Sequence, residues 1–217
     1  MPESSDPSPE SIAAFVREVE GALGVPEGLL ASLHELDDWS CVIKAHALVE
    51  GALTHLLVGV LGRPELQNAF SRLELSTEHT GKVAIAKALG VISEHERRFI
   101  RALSELRNRL VHEIKNASFS FPTYLASLDS NQKNQFVKSF GLAVFMSPDG
   151  AAVAHSSESL THASAAVLRY PKVFVATGAS VISYKAYVER LSAEQRRRVA
   201  ATSPALLQFL DELGSGA

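Results

Sequence analysis

Three observations predict an all-α protein, an up-and-down helical bundle. Apolar residues recur at spacings of three and four along most of the chain, the period of helices that bury one side. Ser and Asp precede such stretches and Gly or Pro follows them, the punctuation of helix starts and stops. No segment alternates apolar and polar residues long enough to demand a sheet, although 172–176 is locally β-prone.

Residues 1–9 form a Ser/Pro/acidic tail with almost no apolar surface, expected to stay disordered, and 10–217 read as one helical domain. The first helix opens at Glu10 or Ser11, shows Ile12, Phe15, Val16, Val19 and Leu23 on one side, and stops at Gly24. Pro26 starts a shorter helix through Leu36. Asp37 or Asp38 caps a long helix over 39–61, closed by Gly62 and Arg63-Pro64. Leu66, Ala69, Phe70 and Leu73 mark a short helix, and another covers 80–92.

Ser93 with Glu96 forms a capping box for a helix over 94–116. After an extended 119–122, short helices are expected at 123–128 and from Ser130 to about 145, then a turn at 147–150 and a poorly periodic 151–158. Residues 160–168 read as helix, 171–191 as a last long helix, and Ser203-Pro204 as the start of a final short one. The four principal helices are therefore 39–61, 80–92, 94–116 and 171–191.

A net charge of −3 argues against a strongly basic surface that coats nucleic acid, yet leaves room for arginines clustered in a cleft. The single Cys41, among Val42, Ile43 and Ala45, reads as a small buried hydrophobe and fits a reducing compartment. The N-terminus lacks a secretory signal pattern. The most apolar stretch, 45–61, is interrupted by His46, Glu50, Thr54 and His55, so no membrane span is expected and the localisation is read as cytoplasmic.

The helix over 94–116 carries the most informative pattern. Phe99, Leu103, Leu106, Leu110 and Ile114 make one apolar stripe, and Arg101, Glu105, Asn108 and His112 make a polar one. At roughly 100° per residue, Asn108 and His112 are about 40° apart, whereas Arg107 is rotated about 140° from His112. One helix does not aim both Arg107 and His112 straight at a small target; two copies about a two-fold axis can.

Residues 75–121, above all Lys82-Val83-Ala84-Ile85-Ala86-Lys87-Ala88-Leu89-Gly90-Val91-Ile92, then 100–112 with Arg107-Asn108-Arg109-Leu110-Val111-His112, then Ser118-Phe119-Ser120-Phe121, resemble the mannitol-repressor-like (MltR-like) branch of the HEPN superfamily. Upstream, the stretch from Asp38-Trp39-Ser40 to Glu50-Gly51-Ala52-Leu53 resembles that branch's first long helix, and the similarity covers roughly 38–128.

The resemblance implies a helical dimer. Many HEPN proteins with Arg, a polar residue and His at this spacing are metal-independent ribonucleases, and others are non-enzymatic regulators. On the first implication Arg107, Asn108 and His112 form the catalytic set of an endoribonuclease, a toxin or phage-defence effector acting on RNA and restrained by an antitoxin or other regulatory protein. On the second they only stabilise a homodimer that works through a protein partner.

The residue types suit such chemistry. An imidazole ordinarily titrates near neutrality and can take or return a proton, while a guanidinium fork holds non-bridging phosphate oxygens, with no metal or cofactor called for. Asn108 can orient His112 or bind phosphate itself. Glu50, flanked by Val49, Ala52, Leu53 and Leu56, is a candidate supporting carboxylate whose expected partner is an arginine of the motif helix.

Arg196, Arg197 and Arg198 are the only basic run, a candidate contact for RNA or an acidic partner. No Glu is followed three residues later by His on a helix, and the eight histidines are scattered, so no metal site is expected. Gly81-Lys82 is no phosphate loop, because Ser76 stands where the first glycine belongs. No helix-turn-helix with a basic recognition face is visible, so direct DNA binding is not expected.

Overall fold

The computed structural model describes residues 8–77, 79–112, 114–141 and 157–215. The structure is all-α: ten α-helices among the described residues and no strand. They are α1 (Pro9–Leu23), α2 (Leu29–Ser32), α3 (Asp38–Leu61), α4 (Gln67–Arg72), α5 (Lys82–Ala88), α6 (Glu94–Val111), α7 (Phe121–Ala126), α8 (Ser130–Phe140), α9 (Ser157–Arg169) and α10 (Pro171–Ser215), with short 3₁₀ turns at Leu33–Glu35, Pro64–Leu66 and Ile114–Ser118. The disordered tail expected over 1–9 falls outside the described residues apart from Ser8, which caps α1, and Pro9, its first helical residue. The expected continuation past Phe140 to about 145, the turn at 147–150 and most of 151–158 also lie outside them.

Several caps follow the sequence. Asp37 accepts a hydrogen bond from Ser40 N–H and opens α3, and Gly62, at φ 65°, closes it in the left-handed region. Other boundaries move. α2 is one turn long because Gly28, at φ 82°, breaks into the stretch expected to be helical from Pro26. The buried Glu20 carboxylate then accepts the backbone N–H groups of Gly28 and Leu30. α5 stops at Ala88 because Gly90, at φ 69°, turns the chain so that Val91 N–H reaches the Ala86 carbonyl.

α3 is the axis of the fold and α10 makes the largest contact with it. The two run parallel: Lys172 Nζ donates to the Leu36 carbonyl at 2.7 Å and pairs with Asp38 at one end, and Arg197 Nη1 donates to the Val60 carbonyl at 2.9 Å at the other. Small residues let them approach, with Ala52 and Leu56 packing against Ala186. α6 runs against both, its Glu96 held by Lys185 at 2.8 Å and its Phe99 seated over Gly178. α8 packs on α6 and also reaches α9 and α10, and α1 lies on α3 and α10.

α3 satisfies the length and composition of a membrane span, contrary to the reading that its polar residues exclude one, but 61% of its most apolar window is buried inside the fold. Its apolar sides are covered by α10, α6 and α5, which makes it a core helix.

Gly178 is required by packing. A Cβ there would lie 2.2 Å from Phe99 Cε2, and that ring is fully buried and held edge-on to Phe140 at 5.4 Å. Gly178→Ala gains helix propensity of about 1 kcal/mol, yet forcing the ring aside costs about 1–3 kcal/mol. The expected outcome is a net loss of stability, read as a lower thermal midpoint with unchanged helical content.

α10 differs most from expectation. The sequence breaks the chain near Leu191 and restarts it at Ser203-Pro204; the structure keeps one helix to Ser215. Pro204 gives up the bond to the Ala200 carbonyl and its ring crowds that oxygen, but Ala200 is exposed, so the oxygen can tilt outward to water while the helix continues.

Candidate functional site

α6 begins as predicted. Ser93 Oγ accepts from Glu96 N–H, Glu96 accepts from Ser93 N–H, and Phe99, Leu103, Leu106 and Leu110 are buried. Its end comes sooner, at Val111 instead of 116, with His112 as the C-cap residue. Asn116 Nδ2 donates to the Arg109 carbonyl at 2.7 Å, satisfying one of the last-turn carbonyls and drawing the chain into the 3₁₀ turn.

The three motif residues all reach solvent: Asn108 and His112 are exposed and Arg107 is half-buried. Arg107 Nη1 donates to Asn108 Oδ1 at 3.0 Å. The long side chain thus carries its charge across to the neighbour that shares a stripe with His112, closing part of the angular gap read from the sequence.

On its other side Arg107 belongs to a cluster the sequence reading missed. Lys82, at the first turn of α5 and 1% exposed, places Nζ 2.9 Å from Glu50 Oε1 on α3, and His46 Nδ1 lies 3.9 Å from Glu50 Oε2. The partner of Glu50 is therefore this lysine and not an arginine of the motif helix, because α5 delivers a buried cation to the same spot. Burial first, then the charges of Arg107 and Lys82, hold the His46 pKa below the usual imidazole value against the opposing pull of Glu50. His46 and Glu50 stand four apart on α3, but no spacing rule links them to 82 or 107; only tertiary packing adds those two.

The depressed pKa of His46 has a sign that can be tested. The folded state favours the neutral imidazole, so below the ordinary value of about 6.5 the unfolded chain binds more protons and stability falls as pH falls. Burial depresses His55 in the same direction, with Arg190 adding to it. Urea midpoints should drop between about pH 7.5 and 5.5, and His46→Gln should flatten that slope; a slope unchanged in the variant would contradict the assignment.

Beyond the motif, Arg109 stacks on the Tyr124 ring at 5.5 Å, and this pair separates two clefts. One, about 290 Å³, is lined by Glu105, Asn131, Gln132 and Gln135 among others; the second, about 280 Å³, is lined by Asn116, Ser120 and Thr123 among others. Tyr124 sits on α7, fifteen positions from Arg109 and outside any helical period, so sequence spacing gave no sign of the pair.

The basic run does not act as one face. Arg196 pairs with Glu189 at 3.0 Å, Arg197 caps α3 through the Val60 carbonyl, and Arg198 is exposed. Successive residues on a helix point about 100° apart, which divides the three. A guanidinium at the α3 C-terminus is well placed against the helix dipole.

Cys41 is fully buried, and burial pushes its thiol up to about 12. Among the described residues no group of three His, Cys, Asp or Glu side chains is gathered closely enough to hold a metal ion. Comparison with family models, curated proteins and solved structures finds no match for the chain.

Proposed function

We propose that this chain is a metal-independent endoribonuclease of the HEPN type, acting as a homodimer in which two α6 helices contribute to one RNA site. The observation that carries the reading is the accessible Arg107–Asn108 pair on a helix that places His112 one turn beyond Asn108. In this mechanism His112 takes the proton of a ribose 2′-OH, the 2′-oxygen attacks phosphorus and the P–O5′ bond breaks. The products are a 2′,3′-cyclic phosphate and a 5′-OH that receives a proton from an imidazolium.

Arg107 binds the non-bridging oxygens as charge grows on them. The clefts beside Arg109 and Tyr124 offer a ring and amides to unstacked bases. A toxin or phage-defence effector, restrained by an antitoxin or regulatory protein, is the setting such an activity fits.

The test is cleavage of RNA in EDTA by the purified chain, scored for 2′,3′-cyclic ends. Cleavage lost in Arg107→Ala supports the reading, and an inert wild-type chain overturns it. The exposed apolar side of α10 favours a second reading, a regulatory or interaction module without RNA cleavage or direct DNA binding. On that reading Arg107→Ala alters partner binding or dimerisation and leaves RNA intact.

A further inference from the structure

Of the two clefts that flank the Arg109–Tyr124 stack, the one between α6 and α8 holds a charge that the fold leaves unused. Glu105 and Arg109 stand four apart on α6, the spacing of a helical ion pair, yet they do not form one. Arg109 is drawn onto the Tyr124 ring at 5.5 Å, and among the described residues the Glu105 carboxylate has no hydrogen-bond or ion-pair partner.

The other groups in the cleft are also unspent. Asn131 and Gln135, four apart on α8, line it with side-chain amides that have no partner among the described residues. The floor is apolar and buried, formed by Leu106, Phe136 and Phe140. Ser139 also lines it and is 9% exposed. Ser164, Ser180 and Ser183 each donate their hydroxyl to the carbonyl four residues back, as helical serines do, whereas Ser139 makes no such bond among the described residues.

A buried apolar floor edged by hydrogen-bonding groups suits a flat heteroaromatic ring. The volume, about 290 Å³, is at the low end for small-ligand sites and matches one base. The carboxylate selects among the bases, because it only accepts hydrogen bonds and its two oxygens take two parallel N–H groups at once. Guanine alone presents two neighbouring donors on its Watson–Crick edge, N1–H and the N2 amino group. Adenine and cytosine set a ring-nitrogen acceptor beside their amino group, and uracil sets a carbonyl on each side of N3–H. Each of these brings a lone pair against Glu105.

We propose that this cleft binds a guanine base, with Glu105 accepting from N1–H and the N2 amino group and the α8 amides donating to O6 and N7. Glu105 and His112 are seven residues apart and about 20° apart around α6, so the pocket lies on the side that carries the motif, about 10 Å from His112 along the helix. The guanine is then a base of the RNA strand beside the scissile bond. That last assignment rests on the ribonuclease reading; the pocket rests on its own geometry.

Calorimetric titration of the full chain with mononucleotides tests the pocket without any cleavage. GMP should bind at least about fivefold tighter than AMP, CMP or UMP, and IMP, which lacks the N2 amino group, should bind more weakly than GMP. Glu105→Gln keeps the side-chain shape but exchanges one acceptor for a donor, the pattern adenine matches, so it should reverse the order of GMP and AMP. A merely structural glutamate would not move that order. Equal binding of the four nucleotides, no binding of GMP at millimolar concentration, or an order unchanged in Glu105→Gln overturns the proposal.

A short single-stranded RNA with one guanine, titrated into the His112→Ala chain, separates a strand from a free nucleotide. Binding tighter than GMP and weakened by inosine in place of the guanine supports the strand; binding no tighter than GMP overturns it. Selective GMP binding by a chain that cleaves no RNA would support the pocket and overturn the ribonuclease reading. Cleavage indifferent to the base beside the cut would overturn the pocket's place in the reaction and leave the ribonuclease reading standing.

Discussion

On the ribonuclease reading, His112→Ala lowers RNA cleavage by about 10²–10⁴-fold while the protein folds as before, the range lost when a general acid–base group is removed. His112 is exposed at the C-cap of α6 and contributes nothing to the apolar stripe, so its truncation leaves Phe99, Leu103, Leu106 and Leu110 in place. Matching circular dichroism and thermal midpoints establish that the fold is intact, and the cleavage assay reads the loss. Equal cleavage by wild type and variant would remove His112 from the mechanism. Asn108→Ala should fall between the two, since Arg107 loses the acceptor that holds it across the helix.

The largest expected stability effect comes from Glu50. Its carboxylate is the partner of a lysine that is 1% exposed, so Glu50→Ala leaves a buried ammonium without its carboxylate. Breaking a buried pair from one side costs about 3–5 kcal/mol, and the partial solvent contact of Glu50 places this case near 3. The double variant Glu50→Leu/Lys82→Met removes both charges at similar volume and should recover most of the loss. Urea unfolding of the two singles and the double measures the coupling; additive losses would show that the pair is not a unit.

What was legible in the sequence is what lies within one helix. The capping box at Ser93 and Glu96, the buried stripe of α6 and the Asp37 and Gly62 boundaries of α3 depend on spacings of three to four residues or on a single backbone angle, and those spacings are written in the chain. Lys82 was not legible as a core residue, because a lysine becomes buried only when another helix supplies its carboxylate. Tyr124 was missed for the same reason, since it matters through Arg109 on a different element. His46 was missed because its burial and the charges of Arg107 and Lys82 come from other elements, even though Glu50 lies one turn along its own helix.

The length of α10 was hidden by a local rule. Ser203-Pro204 is a strong start signal, but an exposed stretch of helix can carry a proline when water takes the released carbonyl. Likewise the arginine run reads as one patch in one dimension and as three separate roles on a helix.

The parallel pairing of α3 and α10 also governs when this protein can fold. The bonds that fasten its two ends span 136 and 137 residues, so the central contact has a high contact order for a helical protein. Closing a loop of that length instead of one of about eight residues costs roughly 2–3 kcal/mol more in chain entropy. During synthesis α3 emerges early and waits, the side that α10 will cover still bare, until the last quarter of the chain has left the ribosome. Refolding should therefore be slower than in helical bundles built from neighbouring hairpins, and a nascent chain stalled before α10 should be a substrate for chaperones that hold apolar helices.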